Sequence, residues 1–135
     1  MLLVALGIRP QTDRLTWFFE NLPVMIGVPI LVCMHRRFPL TRLTCWFLAV
    51  HAVILMVGGY YSYAEVPLFH QIKDVFGWER NNYDRVGHLA QGFVPAILAR
   101  EILLRTTALR PGKMLFFLVL SVCMFVSSVY ELLEW

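Results

Sequence analysis

Two groups of polar residues in the second half of the chain have the spacing of one face of a helix. Asp84 and His88 are four residues apart and Gln91 follows three residues later, while Glu131 and Glu134 are three residues apart. Residues three or four apart lie on the same side of an α-helix, so each group would present its side chains together. Carboxylates and imidazole ligate divalent cations or transfer protons as general acids and bases. The spacing therefore predicts a polar site that is catalytic, metal-binding or both.

Each group also has a structural interpretation. Asp84, in the first turn of a predicted helix, would complement the positive end of the helix dipole. Glu131 and Glu134 fall in a last turn, where negative charge is unfavourable unless a cation compensates it. That cation is either a bound divalent metal ion or a basic side chain of the preceding segment, namely Lys73, Arg80 or Arg85. The sequence leaves both interpretations open.

The composition indicates where such a site would lie. Of the 135 residues, 59% are hydrophobic and 16% are charged, and the mean hydropathy is +0.63. A soluble domain has about a quarter of its residues charged, so this composition favours a membrane protein. We predict an all-α, polytopic transmembrane helical bundle of about four spans. It would form a single transmembrane domain over residues 1–135, with spans at about 16–34, 40–60, 83–104 and 114–135.

The segment between the second and third predicted spans is the longest polar stretch, covering residues 62–82. It contains Trp78 and is predicted to include a short interfacial helix. Asn81 or Asn82 is predicted to cap the third span, because asparagine is favoured at helix N-termini.

Lysine and arginine counts in the short turns predict the orientation. Basic residues flank the turn between the first two spans and the turn between the last two, namely Arg36, Arg37 and Arg42, and Arg100, Arg105, Arg110 and Lys113. Both turns lie on one side of a four-span bundle, and the positive-inside rule places that side in the cytoplasm.

With this topology, ionisable residues from separate spans gather at the outward face. Because such groups cost several kcal/mol when they face lipid, we expect them to point into the bundle. The predicted catalytic and metal-binding residues are Asp84, His88, Glu131 and Glu134. The predicted substrate-binding residues are Glu20, Glu65, Gln91 and His51. His51 lies deeper than the others, and its simpler interpretation is a hydrogen-bonded packing histidine.

Several function classes are excluded by the sequence. It contains no phosphate-binding loop, no dinucleotide fingerprint and no HExxH or CxxC motif, which argues against a nucleotide-driven pump. Its basic residues form no helical stripe, so no nucleic-acid partner is expected. The expected partners are membrane lipids and a lipid-linked substrate.

Four stretches together carry a family resemblance: ENLPV at 20–24, YSYAEVPLF at 61–69, RNNYDRVGHLAQGFVPAILARE at 80–101 and YELLEW at 130–135. They resemble the YjdF-like bacterial inner-membrane proteins, a family of unknown function, and the resemblance covers nearly the whole chain. It implies a multi-pass protein of the bacterial inner membrane. The family pattern normally continues beyond the Glu-x-x-Glu-Trp segment, which implies further polar site residues and a chain shortened at Trp135.

The spacing of Asp84 and His88, followed one span later by the pair Glu131 and Glu134, is also similar to the pattern of VanZ-like membrane proteins. Those proteins are linked to the bacterial envelope and to glycopeptide tolerance. This analogy rests on a shorter motif. It implies a substrate that is a lipid or an envelope molecule.

These observations lead to two functional hypotheses. In the preferred one, an envelope-facing site acts on a lipid or lipid-linked envelope substrate, with or without a divalent metal ion. In the alternative, the protein is an accessory subunit or a small transporter, and its polar cluster is a structural ion-pair network. The sequence does not decide whether the protein is an enzyme.

Overall fold

The structure is a computed structural model and describes residues 10–134, with the side chains of 133 and 134 excepted. The described residues form helices and turns and contain no strand. There are five helices in this part of the chain: α1 Arg14–Met34, α2 Arg42–Tyr61, α3 Pro67–Phe76, α4 Tyr83–Thr106 and α5 Lys113–Glu134. The four long helices coincide with the four predicted spans to within about two residues, and α3 is a short helix in the polar segment.

Side chains that precede the helices explain where three of them begin. Asp13 accepts a hydrogen bond from the Leu15 amide at 3.0 Å, which satisfies one of the first amides of α1. Thr41 precedes α2 and accepts from the Thr44 amide at 3.3 Å. At α4, Asn81 accepts from the first helical amide at 3.0 Å, so the cap comes from Asn81 although Asn82 occupies the cap position itself.

The boundaries of α3 follow from residues with special backbone preferences. Pro67 fills the first helical position, where its missing amide hydrogen costs nothing. The helix ends at Gly77, whose φ of 67° lies in the left-handed region that glycine adopts without strain. Asn81 fixes the start of α3 to the start of α4, because its amide donates to the Val66 carbonyl at 3.0 Å.

Of the five described helices, three are long and apolar enough to cross a membrane: α1, α2 and Lys113–Leu132 of α5. Helix α4 has 24 residues, enough to span, but it is more polar than the other three. It packs against α2 on one side and α5 on the other, and α1 packs against α2. The large apolar side chains that α1 and α5 leave exposed are suited to contact with lipid. The prediction of an all-helical membrane bundle of about four spans is confirmed.

Close packing between helices depends on an aromatic ring held by two glycines. The Tyr63 side chain follows α2 and lies against Gly58 of α2 and Gly87 of α4. A Cβ atom would approach the ring to 2.5 Å at Gly58 and to 2.7 Å at Gly87, so a larger residue at either position would displace it. The ring therefore fixes how closely α2 and α4 approach at this end of the bundle, which we call the Tyr63 end.

At the opposite, basic end of the bundle, a buried carboxylate joins the α1–α2 turn to α4. Glu101 is only 9% exposed. It accepts hydrogen bonds from the Thr41 amide at 2.7 Å, the Thr41 hydroxyl at 2.9 Å and the Thr44 hydroxyl. Arg105 donates to Glu101 at 2.9 Å and to the Pro39 carbonyl at 2.6 Å. The charge is thus compensated by a guanidinium and by three further donors, as a buried carboxylate requires.

Removing this carboxylate is expected to be strongly destabilising. Glu101→Ala would leave the Thr44 hydroxyl and the Thr41 amide without their acceptor, and we expect a loss of about 3 kcal/mol in the free energy of unfolding. Chemical unfolding of the purified protein in detergent measures this loss. Arg100→Ala is the control, since its side chain is exposed on the same helix. Equal losses in the two variants would contradict the role assigned to Glu101.

Candidate functional site

A cavity of about 410 Å³ lies at the Tyr63 end of the bundle. Parts of four elements enclose it: the first turns of α1, the segment after α2, the first turns of α4 and the end of α5. Its polar lining comes from Thr16, Glu20, Tyr63, Asp84, His88, Gln91 and Tyr130. Leu15, Phe19 and Gly87 complete the lining.

Helix α4 supplies one polar wall. Asp84, His88 and Gln91 all line the cavity, as residues at positions i, i+4 and i+7 of one helix can. Gly87 lies within the same face, and its lack of a side chain leaves space for the Tyr63 ring. His88 is exposed and Gln91 is half-buried, so this wall is reachable from outside the protein.

The carboxylate of Asp84 has a cationic neighbour. Arg80 precedes α4 and forms an ion pair with Asp84 one turn along. The Arg80 side chain is 63% exposed and that of Asp84 is 29% exposed, so solvent screens the pair and its contribution to stability is small. Its main consequence is local, because it places a guanidinium beside the α4 wall of the cavity.

The opposite wall joins the two terminal spans. The Tyr130 hydroxyl of α5 donates to the Glu20 carbonyl of α1 at 3.2 Å and lies 3.5 Å from the Glu20 carboxylate. This contact brings the end of α5 beside the start of α1. It also places a phenol and a carboxylate together in the lining, across from the α4 wall.

The structure therefore brings together four of the predicted site residues, Glu20, Asp84, His88 and Gln91. Glu131 is exposed on α5 and does not line the cavity. The side chain of Glu134 lies outside the described residues.

Two further predicted residues lie elsewhere. Glu65 is exposed, and its carboxylate is 3.4 Å from the imidazole of His70. His51 is half-buried within α2 and is not part of the cavity lining. Its Nε2 is buried and has no hydrogen-bond partner among the described residues, so the predicted packing hydrogen bond is not seen at that atom.

The predicted metal set of Asp84, His88, Glu131 and Glu134 stays a prediction, because the side chain of Glu134 lies outside the described residues. Among the described side chains, which do not include those of 133 and 134, no three from His, Cys, Asp or Glu approach closely enough to hold a metal ion. Asp84 and His88 share the cavity, whereas Glu131 is turned away from it. The polar side chains of the lining can form hydrogen bonds and transfer protons.

The polar lining residues that the sequence did not predict as site residues are Thr16 and two tyrosines, Tyr63 and Tyr130. Tyr63 lies in an aromatic segment and Tyr130 lies beside acidic residues. Tyrosines near the ends of spans are common at the membrane interface. For Tyr63 the sequence offered one signal, the glycines at 58 and 87, whose lack of a side chain leaves space for a large ring.

Comparison with known proteins agrees that this is a membrane protein. A family profile described as "Predicted membrane protein (DUF2238)" matches residues 1–135. The inner membrane protein YjdF of Escherichia coli K12 is 47% identical over 135 residues, which is all of this chain and 64% of that protein. The chain thus spans about two thirds of the length of this relative. No solved structure matches, and the similarity to VanZ-like proteins stays a prediction.

The glycine contacts give a test of the cavity wall. Gly87→Ala would push a methyl group into the Tyr63 ring, which Gly58 confines on its other side, and overpacking of this kind costs about 1–3 kcal/mol. Gly92→Ala is the matched control on the same helix, because a Cβ there meets no atom within 4 Å. It should be neutral or stabilising by up to about 1 kcal/mol.

Thermal unfolding in detergent, followed by circular dichroism, distinguishes the two variants. If Gly87→Ala melts at the same temperature as Gly92→Ala, the Tyr63 ring is not held between the two glycines.

Proposed function

The chain belongs to the DUF2238 family of membrane proteins, and from this premise we propose that it is an inner-membrane protein whose outward-facing cavity binds the polar head of a lipid or lipid-linked envelope molecule. In this proposal the cavity side chains also exchange protons with the bound group. The observation that carries it is the convergence of Glu20, Asp84, His88 and Tyr130 from three spans on one cavity.

Access from the bilayer is supported by the apolar part of the lining. Leu15 and Phe19 are 68% and 45% exposed, and both also line the cavity. Exposed apolar side chains of a spanning helix face lipid, so the opening of the cavity adjoins the hydrophobic part of the membrane. A molecule with an apolar tail and a polar head could enter from the bilayer without leaving it.

The charges in the cavity favour a particular kind of head group. The carboxylates of Glu20 and Asp84 accept hydrogen bonds, and they would attract an ammonium group or hydroxyls and repel an uncompensated anion. Arg80, beside Asp84, supplies a guanidinium suited to a phosphate at the cavity rim. A phosphate-linked sugar or amine, with its phosphate at the rim and its donors inside, fits this distribution.

The same residues support proton transfer. Imidazole takes up and releases protons near neutral pH, so His88 is assigned the role of general acid and base. Asp84, one turn away on the same wall, would orient the substrate or accept a proton. Gln91 and the Tyr130 hydroxyl would hold the head group through hydrogen bonds.

The alternative, a structural ion-pair cluster in an accessory subunit or transporter, has one supporting observation, the pair between Arg80 and Asp84. The three ion pairs described at this end, Glu65–His70, Lys73–Asp74 and Arg80–Asp84, each join residues five or fewer positions apart. Pairs of this kind do not fasten separate spans to one another.

Lipid binding by cavity variants tests the proposal. The protein is purified in detergent, exposed to a total bacterial lipid extract, and analysed by native mass spectrometry for retained lipid. Tyr130→Phe and Asp84→Asn each remove hydrogen bonds to the head group, and we expect each to reduce occupancy about tenfold, which corresponds to about 1.4 kcal/mol. Glu131→Gln is the control, because this exposed carboxylate neighbours Tyr130 in sequence but lies outside the cavity.

Equal retention of lipid by Asp84→Asn and Glu131→Gln would overturn the assignment. Elemental analysis of the same samples, before and after chelator, tests the divalent ion separately. A stoichiometric metal that is lost in His88→Ala and Asp84→Asn would assign these residues as ligands.

A further inference from the structure

We propose that the protein has a second lipid site, at the basic end of the bundle, which binds one anionic glycerophospholipid of the inner leaflet. In this site an acyl chain lies in an apolar groove between α1, α2 and α4, and the phosphate contacts arginines of the α1–α2 turn. The site is separate from the cavity at the Tyr63 end, and none of its residues takes part in the proposed function.

The apolar half of the site is a groove of about 360 Å³. Its wall is almost entirely hydrophobic and includes Leu31, Phe38, Leu48, Ala52, Leu98 and Ile102. Along α2 the groove runs from Cys45 to Ala52, a helical rise of about 10 Å. One leaflet of the hydrocarbon core is about 15 Å thick, so the groove would cover roughly two thirds of an acyl chain's path through the leaflet.

The polar half of the site is a concentration of positive charge at the same end. Residues 35–42 and 100–113 together contain seven basic residues and one carboxylate, a net charge of +6. The formal charge of the whole chain is only +3, so the rest of the molecule is net negative. The one carboxylate, Glu101, is buried and bonded to Arg105 and to the two threonines. The exposed charge at this end is therefore positive.

The two halves meet at Phe38. This residue lines the groove, and the Arg105 guanidinium lies over its ring at 4.1 Å from the centroid. The hydrogen bonds of Arg105 to Glu101 and to the Pro39 carbonyl hold that cation at the end of the groove. Arg36 and Arg37, which immediately precede Phe38, are exposed and form no ion pair with any described residue. A phosphate at the groove mouth would find these side chains within the same turn.

Charge complementarity identifies the occupant. Basic residues near an anionic membrane surface each contribute about 1 kcal/mol of attraction, and basic pockets between spans on the cytoplasmic side bind anionic head groups. The positive-inside rule accounts for the arginines alone. It does not account for the apolar groove, which is lined by Phe38, the residue over whose ring Arg105 lies. The combination favours an anionic diacyl lipid over a zwitterionic one.

Titration with defined lipids tests this inference. The probes are phosphatidylglycerol and phosphatidylcholine with identical acyl chains, added to the detergent-purified full chain and followed by native mass spectrometry. We expect phosphatidylglycerol to bind at least tenfold more tightly than phosphatidylcholine. The double variant Arg36→Gln/Arg37→Gln should lose most of that preference, whereas the control Lys73→Gln/Arg85→Gln, at the other end of the bundle, should keep it.

A second pair of variants tests the groove. Ala49→Phe places a ring in the groove from an exposed position on α2 and should weaken binding of phosphatidylglycerol at least tenfold. Val53→Phe, one turn further on the same helix and outside the groove lining, should leave binding unchanged. Equal affinity of the wild-type protein for the two lipids would overturn the inference. So would unchanged binding in the arginine double variant, whose exposed side chains can be replaced without disturbing the fold.

Discussion

The structure depends on a constraint set by the bilayer: a spanning helix that carries ionisable groups must be covered by other helices, because these groups are costly in lipid. Helix α4 is that helix, with Asp84 and His88 near one end and Glu101 near the other. It packs between α2 and α5, while the apolar helices occupy the flanks. Packing against α2 and α5 thus covers part of α4, while apolar side chains such as Phe93 remain exposed on it.

The two ends of α4 meet this constraint in different ways. At the basic end, Glu101 has donors from Thr41, Thr44 and Arg105, so the hydrogen bonds of this carboxylate are satisfied within the protein. At the Tyr63 end, Asp84, His88 and Gln91 line a cavity of about 410 Å³, which has room for a small head group. The contrast separates the part of α4 that stabilises the bundle from the part that we assign to function.

Much of the fold could be predicted from the sequence, because hydropathy and helix length are local properties. The shared face of Asp84, His88 and Gln91 is also local, since it depends only on spacing within one helix. The rotation of α5 about its axis is not a local property. The Tyr130 hydroxyl lies against α1, and Glu131, about 100° further round the helix, does not line the cavity. Because tyrosine is common at membrane interfaces, its sequence position gave no sign that it would line a site.

Thiol accessibility measures most directly whether the half of α4 that carries Asp84 and His88 faces a water-filled cavity. The native cysteines Cys33, Cys45 and Cys123 are first replaced by alanine, and Gln91→Cys or Phe93→Cys is then introduced. In intact cells, a membrane-impermeant maleimide should label position 91, which lines the cavity, far faster than position 93, which is 52% exposed outside it. A thiol facing hydrocarbon forms little reactive thiolate. Equal labelling rates at positions 91 and 93 would contradict the account.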